Sequence, residues 1–230
     1  MDIILQQGLE HQQIPVERIA HVFSNSRVTP AGKYYENPMP DYKDTQLNFS
    51  IRDITYQKEM RPYNDKVVDP QNGTLNLDIK METGTGKTYV YTRTMFELHK
   101  RCGFNKFIIA VPTLPIKAGT AAFLDDAEVM RHFTNICGYN AQIELCMLEP
   151  QKQKKKGRLN IPSVVGHFFY GSHHVKNKIY VLLLNTQLLT SGKLLTREDY
   201  DQMLGEFHRP VDAIKDTLPV LIIDEASYGA

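Results

Sequence analysis

The chain has 230 residues, of which 42% are hydrophobic and 23% charged, the proportions of an ordinary soluble globular protein. Its formal net charge is +1, so the overall charge gives no indication of nucleic-acid binding, and any such contact would come from a local patch. No apolar stretch approaches the roughly 18 residues that a membrane helix needs, and the amino terminus lacks the basic flank of a signal peptide. A cytoplasmic protein that does not enter the membrane is expected.

Three cysteines are present, and their odd number and wide spacing argue against a disulfide framework or a metal site. Reduced, chemically idle thiols are expected for all of them, namely Cys102, Cys137 and Cys146.

The amino-terminal third divides into a regular and an irregular stretch. A helix over residues 8–23 is predicted, with Pro15 either kinking it or lying in its first turn. Residues 24–73 are rich in Asn, Asp, Tyr and Pro, and only a short strand at 47–51 and a short helix near 55–61 are predicted there. Residues 1–73 are therefore interpreted as a helix and an irregular segment joined to a regular domain.

From residue 74 to residue 230, apolar runs alternate with helical patterns. This alternation predicts an α/β domain built on a parallel sheet. The predicted strands cover residues 75–80, 107–111, 143–148, 179–184 and 220–223, and the predicted helices cover 87–101 and 116–131. The runs at 107–111, 179–184 and 220–223 are almost wholly apolar, which is typical of strands covered on both faces.

The segment Met81–Thr88, with the sequence METGTGKT, has the pattern of a phosphate-binding loop between a strand and a helix. Small residues let successive backbone N–H groups turn toward an anion, and the helix start adds partial positive charge. Lys87 would reach the β- and γ-phosphates of a nucleotide, and the Thr88 hydroxyl would bind Mg²⁺. Met81 stands where the common form has Gly, and a plain strand-to-helix turn is the alternative.

An acidic pair, Asp224-Glu225, directly follows the apolar run 220–223. The carboxyl end of a buried parallel strand faces the ligand edge of an open α/β sheet. Asp224 could hold Mg²⁺, directly or through water, and Glu225 could orient or deprotonate an attacking water. On its own, such a pair is usually a solvated turn.

Together these motifs resemble the first RecA-like domain of a superfamily 2 helicase or translocase. The stretch Val111–Gly119, VPTLPIKAG, resembles the next motif of that superfamily, and Leu182–Leu189 resembles a later one. With LEHQQ at 9–13, the combination is most similar to the Res subunit of type III restriction–modification enzymes. The resemblance implies a RecA-like P-loop NTPase domain, here incomplete at its carboxyl end.

The resemblance also implies roles for particular residues. Gln12 or Gln13 would contact adenine, and the two cannot be separated from the sequence; a solvated helix residue is the alternative. The cofactors would be ATP and Mg²⁺, bound by Thr83, Gly84, Thr85, Gly86, Lys87 and Thr88, with Asp224 as a further metal ligand and Lys87, Asp224 and Glu225 as catalytic residues. The DNA path would run by Pro112, Thr113, Lys117, Asn185 and Thr186. A strand-end cap for Thr113 and a solvated helix lysine for Lys117 are the alternatives.

Two departures from the family pattern stand near the carboxyl end. Ala226-Ser227 replaces the usual Pro-His, which puts the coupling of nucleotide and DNA binding in doubt. Only residues 226–230 follow Glu225, whereas the family continues with a second RecA-like domain and a nuclease domain. A truncated product or fragment is therefore expected.

A basic segment, Gln151–Arg158, interrupts the α/β pattern with five cationic residues. Such runs are usually solvated loops that bind nothing specific. DNA contact is the other interpretation, with further donors at His173, His174, Lys176 and Lys178.

Three functions compete at this point. The first is the ATP-binding half of a type III restriction endonuclease, an ATP-dependent site-specific deoxyribonuclease that moves on double-stranded DNA and works with a modification (methyltransferase) subunit. The second is a catalytically inactive nucleotide-binding fragment. The third, a small-molecule kinase, would need an arginine-rich lid that the sequence does not contain.

Overall fold

The computed structural model describes residues 5, 8–25, 27–41, 68–69, 74–150, 160–190 and 193–224. The predicted strand at 47–51 and the predicted helix near 55–61 lie outside these residues. Two compact units are formed, one by the described residues of 1–31 and 38–104 and the other by those of 32–37 and 105–230. The predicted boundary at residue 73 does not coincide with a limit of either unit, and the domain division remains a prediction.

The first unit is built on two helices, α1 (Glu10–Ser24) and α2 (Lys87–Cys102). Both form because they carry an apolar stripe at helical spacing that packs inward. Val16, Ala20 and Val22 of α1 are fully buried, as is Met95 of α2. Three small strands complete the described part of this unit up to residue 69, namely β1 (Val28–Thr29), β2 (Met39–Pro40) and β3 (Val68–Asp69).

An ion-pair cluster joins the carboxyl end of α2 to the middle of α1. The Arg101 guanidinium donates to Glu97 one turn earlier, at 2.6 Å, and to Glu17 of α1, at 2.8 Å. The helix α2 then ends at Gly103, whose φ of 78° is the left-handed conformation that closes many helices.

The strand predicted at 75–80 is wrong in this structure. Only Thr74–Leu75 (β4) forms a strand, and it pairs antiparallel with β3 instead of joining a parallel sheet. The following residues, 76–80, are extended connection without a ladder. A strand needs a neighbouring backbone for its N–H and C=O groups, and among the described residues only β3 pairs with this stretch.

The second unit contains a four-stranded parallel sheet, which confirms the predicted α/β class. Its strands follow the order β6-β7-β5-β8, with β5 (Lys106–Val111) and β7 (Lys178–Asn185) at the centre. The outer strands are β6 (Gln142–Met147) and β8 (Val220–Ile223). All six residues of β5 are buried, because central parallel strands are covered on both faces.

Helices connect these strands. They are α3 (Leu114–Asp125), α4 (Ala127–Arg131) with a π-helical turn at His132–Ile136, α5 (Ser163–Tyr170), α6 (Thr186–Thr190), α7 (Lys193–Thr196) and α8 (Pro210–Asp216). The helix predicted at 116–131 is thus two helices that meet at Asp126. Its carboxylate accepts from the backbone N–H of Glu128 and Val129, so this residue begins a new helix.

The expectation that 220–223 is covered on both faces is wrong. Leu221 is 48% exposed and Ile223 is 51% exposed, while the alternate residues are half-buried. The reason is position, because within the described residues β8 is an edge strand that pairs only with β5.

The amino end of the sheet is held by a segment far away in sequence, residues 32–37. The buried Asn37 side chain accepts from the backbone N–H groups of Asn105 and Lys106, at 2.8 and 2.9 Å. Its amide nitrogen donates to the carbonyls of Lys106 and Leu218, at 2.8 and 3.1 Å. One side chain therefore connects the starts of β5 and β8.

Candidate nucleotide and DNA sites

The glycine loop, residues 81–86, makes a tight turn that requires its two glycines. Gly84 and Gly86 have φ values of 81° and 88°, a conformation that other residues rarely adopt. Between them, the Thr85 hydroxyl donates to the carbonyl of Glu82 at 2.7 Å and closes the turn. The turn predicted at this position is therefore present, although the strand predicted in front of it is not, and phosphate binding stays a prediction.

The helix start behind the loop lacks a side-chain cap. Gly86 is the N-cap of α2, no side chain caps the helix, and its first turn contains no acidic residue. Backbone N–H groups at such a start carry partial positive charge and bind anions. Lys87 and Thr88, the first two residues of the helix, are both half-buried.

Gln12 of α1 lies against this loop, and the structure thereby distinguishes it from Gln13. The Gln12 side chain is 9% exposed and its amide donates to the Thr85 carbonyl at 3.0 Å, whereas Gln13 is exposed. A Cβ at Gly86 would come within 2.5 Å of the Gln12 amide nitrogen. Gly86 therefore admits both the left-handed backbone and the close approach of Gln12.

These observations test whether the loop fits a nucleotide. Two glycines with positive φ, an uncapped helix start and a lysine–threonine pair form a cradle of donors for a triphosphate. No side chain carrying negative charge stands in the first turn of the helix. The residues present fit a phosphate group with its Mg²⁺.

In the second unit, three of the predicted residues follow strands at one edge of the sheet. Thr113 comes two residues after β5, Asn185 ends β7, and Asp224 comes directly after β8. Asn185 pairs in register with Val111, and the Asp224 N–H donates to the Ala110 carbonyl at 3.0 Å. These positions all lie at the carboxyl edge of the parallel sheet, where ligands of open α/β folds bind.

Thr113 has a defined structural task at this edge. Its hydroxyl oxygen accepts from the N–H of Ile116 at 3.4 Å and caps α3, so Thr113 caps a helix and not, as the alternative had it, the end of a strand. Thr113 is exposed, and Pro112 before it is half-buried. A capping hydroxyl keeps its own proton available for a second partner.

Asn185 presents a polar atom without a partner. Its side-chain oxygen is buried and has no hydrogen-bond partner among the described residues, although the residue as a whole is 8% exposed. A buried carbonyl oxygen without a donor costs about 1–3 kcal/mol. Thr186, its neighbour, is half-buried.

Lys117 is placed differently from its predicted neighbours. It is 2% exposed, and its ammonium donates to the carbonyl of Leu148 and to the carboxylate of Glu149 at 2.8 Å. It is not the solvated helix lysine that the sequence offered as an alternative. Glu149 is a residue that sequence reasoning missed, since no local pattern connects it with Lys117.

Several predicted residues lie outside the described part of the chain. They are Glu225, Ala226, Ser227 and the basic segment 151–158. Of the additional donors near that segment, His173 and His174 are in contact, with ring centroids 4.3 Å apart and the ring planes tilted by 51°.

The structure is thus an α/β protein with a glycine loop directly before a helix. Residues 11–227 match the family described as "Type III restriction enzyme, res subunit". Since this match covers most of the chain, the protein belongs to the family of type III restriction enzyme Res subunits.

Individual relatives agree with this assignment. The chain is 45% identical over 152 residues to the StyLTI Res subunit of Salmonella typhimurium, a match that covers 65% of this chain and 15% of that protein. It is 34% identical over 229 residues to the EcoP15I Res subunit of Escherichia coli and 32% identical over 225 residues to the EcoPI Res subunit of Escherichia phage P1. Each of these matches covers 96% of this chain and 23% of the relative, so the chain spans less than a quarter of the curated relatives it matches. Among the described residues, no helix is long and apolar enough to cross a membrane.

Proposed function

We propose that this chain contributes the ATP-binding part of a DNA-dependent motor in a type III restriction enzyme. The observation that supports it most is the glycine loop, where Gly84 and Gly86 open a cradle and Gln12 lies against Thr85. The triphosphate of ATP would be bound by the backbone of residues 83–86 and by Lys87.

The adenine base would be recognised by Gln12 rather than Gln13. Gln12 is buried against the loop, and Gln13 is an exposed residue of the same helix. An amide side chain can pair with the hydrogen-bonding edge of adenine through one donor and one acceptor. Gln12 would thereby connect the base to the phosphate loop.

Mg²⁺ would be bound through oxygen ligands, as this hard cation requires. The Thr88 hydroxyl and the Asp224 carboxylate are the ligands we propose. When bound, the ion would neutralise charge on the phosphates, and Glu225 would orient or deprotonate a water molecule. Lys87 would place its ammonium beside the β- and γ-phosphates.

The carboxyl edge of the sheet would carry double-stranded DNA. Pro112, Thr113, Asn185 and Thr186 are the contacts that we propose, with Thr113 offering its hydroxyl proton to a phosphate oxygen. ATP hydrolysis and translocation before DNA cleavage are proposed for the whole protein. Its partner would be a modification subunit, as expected for a Res subunit of a restriction–modification enzyme.

Nucleotide binding can be tested by titrating the 230-residue chain with a fluorescent ATP analogue in the presence of Mg²⁺. Replacing Lys87 by Ala should weaken binding at least tenfold, because the phosphates lose their cationic partner. Lys100→Ala is the matched control, since Lys100 is an exposed lysine near the other end of α2. Absence of binding at millimolar nucleotide would contradict the proposal.

Turnover separates the motor from the inactive nucleotide-binding alternative. ATP hydrolysis should be measured with and without duplex DNA. Hydrolysis stimulated several-fold by the duplex, and lost in Lys87→Ala, supports the motor. Binding without hydrolysis supports the alternative, in which the chain retains only the nucleotide site.

A further inference from the structure

The resemblance places Lys117 on the DNA path, yet its ammonium is turned into the protein. The side chain is 2% exposed, and its ammonium donates to the Leu148 carbonyl and to one oxygen of Glu149. Leu148 itself is fully buried, whereas the Glu149 side chain is 56% exposed. A carbonyl buried this deeply would lose its partner if the lysine turned outward.

The backbone of Lys117 connects the same residue to the start of α3. Its N–H donates to the carbonyl of Thr113 at 3.0 Å, in the first turn of the helix. Leu148 in turn donates its N–H to the carbonyl of Leu183 in β7 at 2.9 Å. Lys117 therefore joins the first turn of α3, through one side chain, to the chain leaving β6.

We propose that Lys117 is a positioning residue that fixes Pro112 and Thr113 relative to the end of β6, with Glu149 as its counter-charge. The inference depends on the proposed function only in that the start of α3 is taken to contact DNA. A lysine that bound phosphate directly would have to be exposed to the duplex, and its carboxylate partner would oppose binding.

The Lys117–Glu149 pair is also close in sequence to the basic segment, residues 151–158. Glu149 is followed by Pro150 and then by Gln151, the first residue of that segment. Lys117 therefore contacts Glu149, which lies two residues before that segment in the sequence. Loss of the pair should disturb the start of α3 without removing any charge that faces DNA.

The burial of Lys117 can be tested without DNA, by acetylating the chain with an amine-reactive ester and following each lysine by mass spectrometry. Lys117 should react at least tenfold more slowly than Lys215, an exposed lysine of α8. Glu149→Gln should raise the Lys117 rate several-fold, because the ammonium loses its charged partner. Equal rates for Lys117 and Lys215 would overturn the proposal.

Measuring the DNA affinity of variants then distinguishes a positioning role of Lys117 from a direct contact of Lys117 with a phosphate. Glu149→Gln and Lys117→Met should each weaken binding of a fluorescent duplex of about 30 base pairs, by about three- to tenfold, with an unchanged salt slope. A direct phosphate contact predicts that Lys117→Met lowers the slope by about 0.9, and that Glu149→Gln tightens binding by removing a negative charge. That pair of results would contradict positioning.

The two proposals fail in different ways. If the unaltered chain does not bind the duplex, the DNA part of the proposed function is wrong, and the acetylation rates alone decide the placement of Lys117. If the duplex binds and the Glu149→Gln variant binds as tightly as the unaltered chain, the positioning role is wrong and the DNA site stands.

Discussion

A buried lysine lies near each end of the parallel sheet, Lys106 in β5 and Lys117 in α3, and the two have different partners. At the amino end, the Lys106 ammonium donates to the carbonyls of Phe168 and Phe169 and lies over the rings of Phe168 and Tyr180. At the carboxyl end, the Lys117 ammonium donates to the Leu148 carbonyl and to the carboxylate of Glu149, whose side chain is 56% exposed.

Their surroundings suggest different tasks. Lys106 donates to the last turn of α5, where a cation is favoured by the helix dipole, and it is fully buried. Asn37 adds four side-chain hydrogen bonds at the same end of the sheet. The amino end is therefore where we expect stability to be concentrated, and the carboxyl end is where we expect binding.

The largest change in the free energy of unfolding should follow from Asn37→Ala. The change removes four hydrogen bonds and leaves buried backbone groups of β5 without partners, so the free energy of unfolding should fall by about 3 kcal/mol. Urea unfolding followed by circular dichroism measures this. Asn177→Ala, at an exposed asparagine of the same unit, should change it by less than about 0.5 kcal/mol. A loss below about 1 kcal/mol for Asn37→Ala would show that the amino end is not the stable one.

A pH dependence should come from Lys106. Burial lowers the pKa of its ammonium to about 7, from an ordinary value of 10.5. Above pH 7 the unfolded chain therefore binds more protons than the folded chain, and stability should rise with pH by at most about 1.4 kcal/mol per unit. Below pH 7 both states are protonated at this residue and its contribution no longer changes.

The thiols limit the useful window for this measurement. Burial raises the pKa of Cys102 to about 11 and that of Cys146 to about 12, so near pH 9 and above these groups lower stability as pH rises. Unfolding should therefore be compared between pH 7 and 8.5. Lys106→Met should flatten the rise in this range, and an equal slope in both proteins would remove Lys106 as its source.

The smallest effect is expected at Leu218, just before β8. This residue has a φ of 50°, a left-handed conformation that costs a leucine roughly 1 kcal/mol. Leu218→Gly should relieve that strain, partly offset by the greater freedom of glycine in the unfolded chain, for a net gain of about 0.5 kcal/mol. Leu218→Ala retains the strain and should give no gain by the same urea titration. A gain in both variants would point away from backbone conformation.

Features encoded by neighbouring residues were predictable from the sequence. The apolar runs predicted β5, β7 and β8 to within a residue or two, and Gly84 and Gly86 predicted the loop. Both follow from local rules, because an apolar run is typical of a buried strand and glycine is the residue that most readily adopts a positive φ. The exposed face of β8 was missed because an apolar run does not reveal whether a strand is central or at an edge.

Contacts between distant residues were not predictable. Asn37 meets Lys106 across 69 residues, Gln12 meets Thr85 across 73, and Lys117 meets Glu149 across 32. A lysine followed by small residues in a helix is interpreted as solvated unless its partner is known. For the same reason the sequence could not separate Gln12 from Gln13, which differ only in the direction that each faces on α1.

That last pair provides the most direct test of an ATP site at the glycine loop. The affinity of Mg²⁺-bound ATP and GTP should be measured by calorimetry for the unaltered chain, Gln12→Ala and Gln13→Ala. The unaltered chain and Gln13→Ala should prefer ATP by at least about tenfold, roughly 1.4 kcal/mol, and Gln12→Ala should lose that preference. Equal affinity for the two nucleotides in the unaltered chain, together with unchanged ATP binding in Gln12→Ala, would contradict the site.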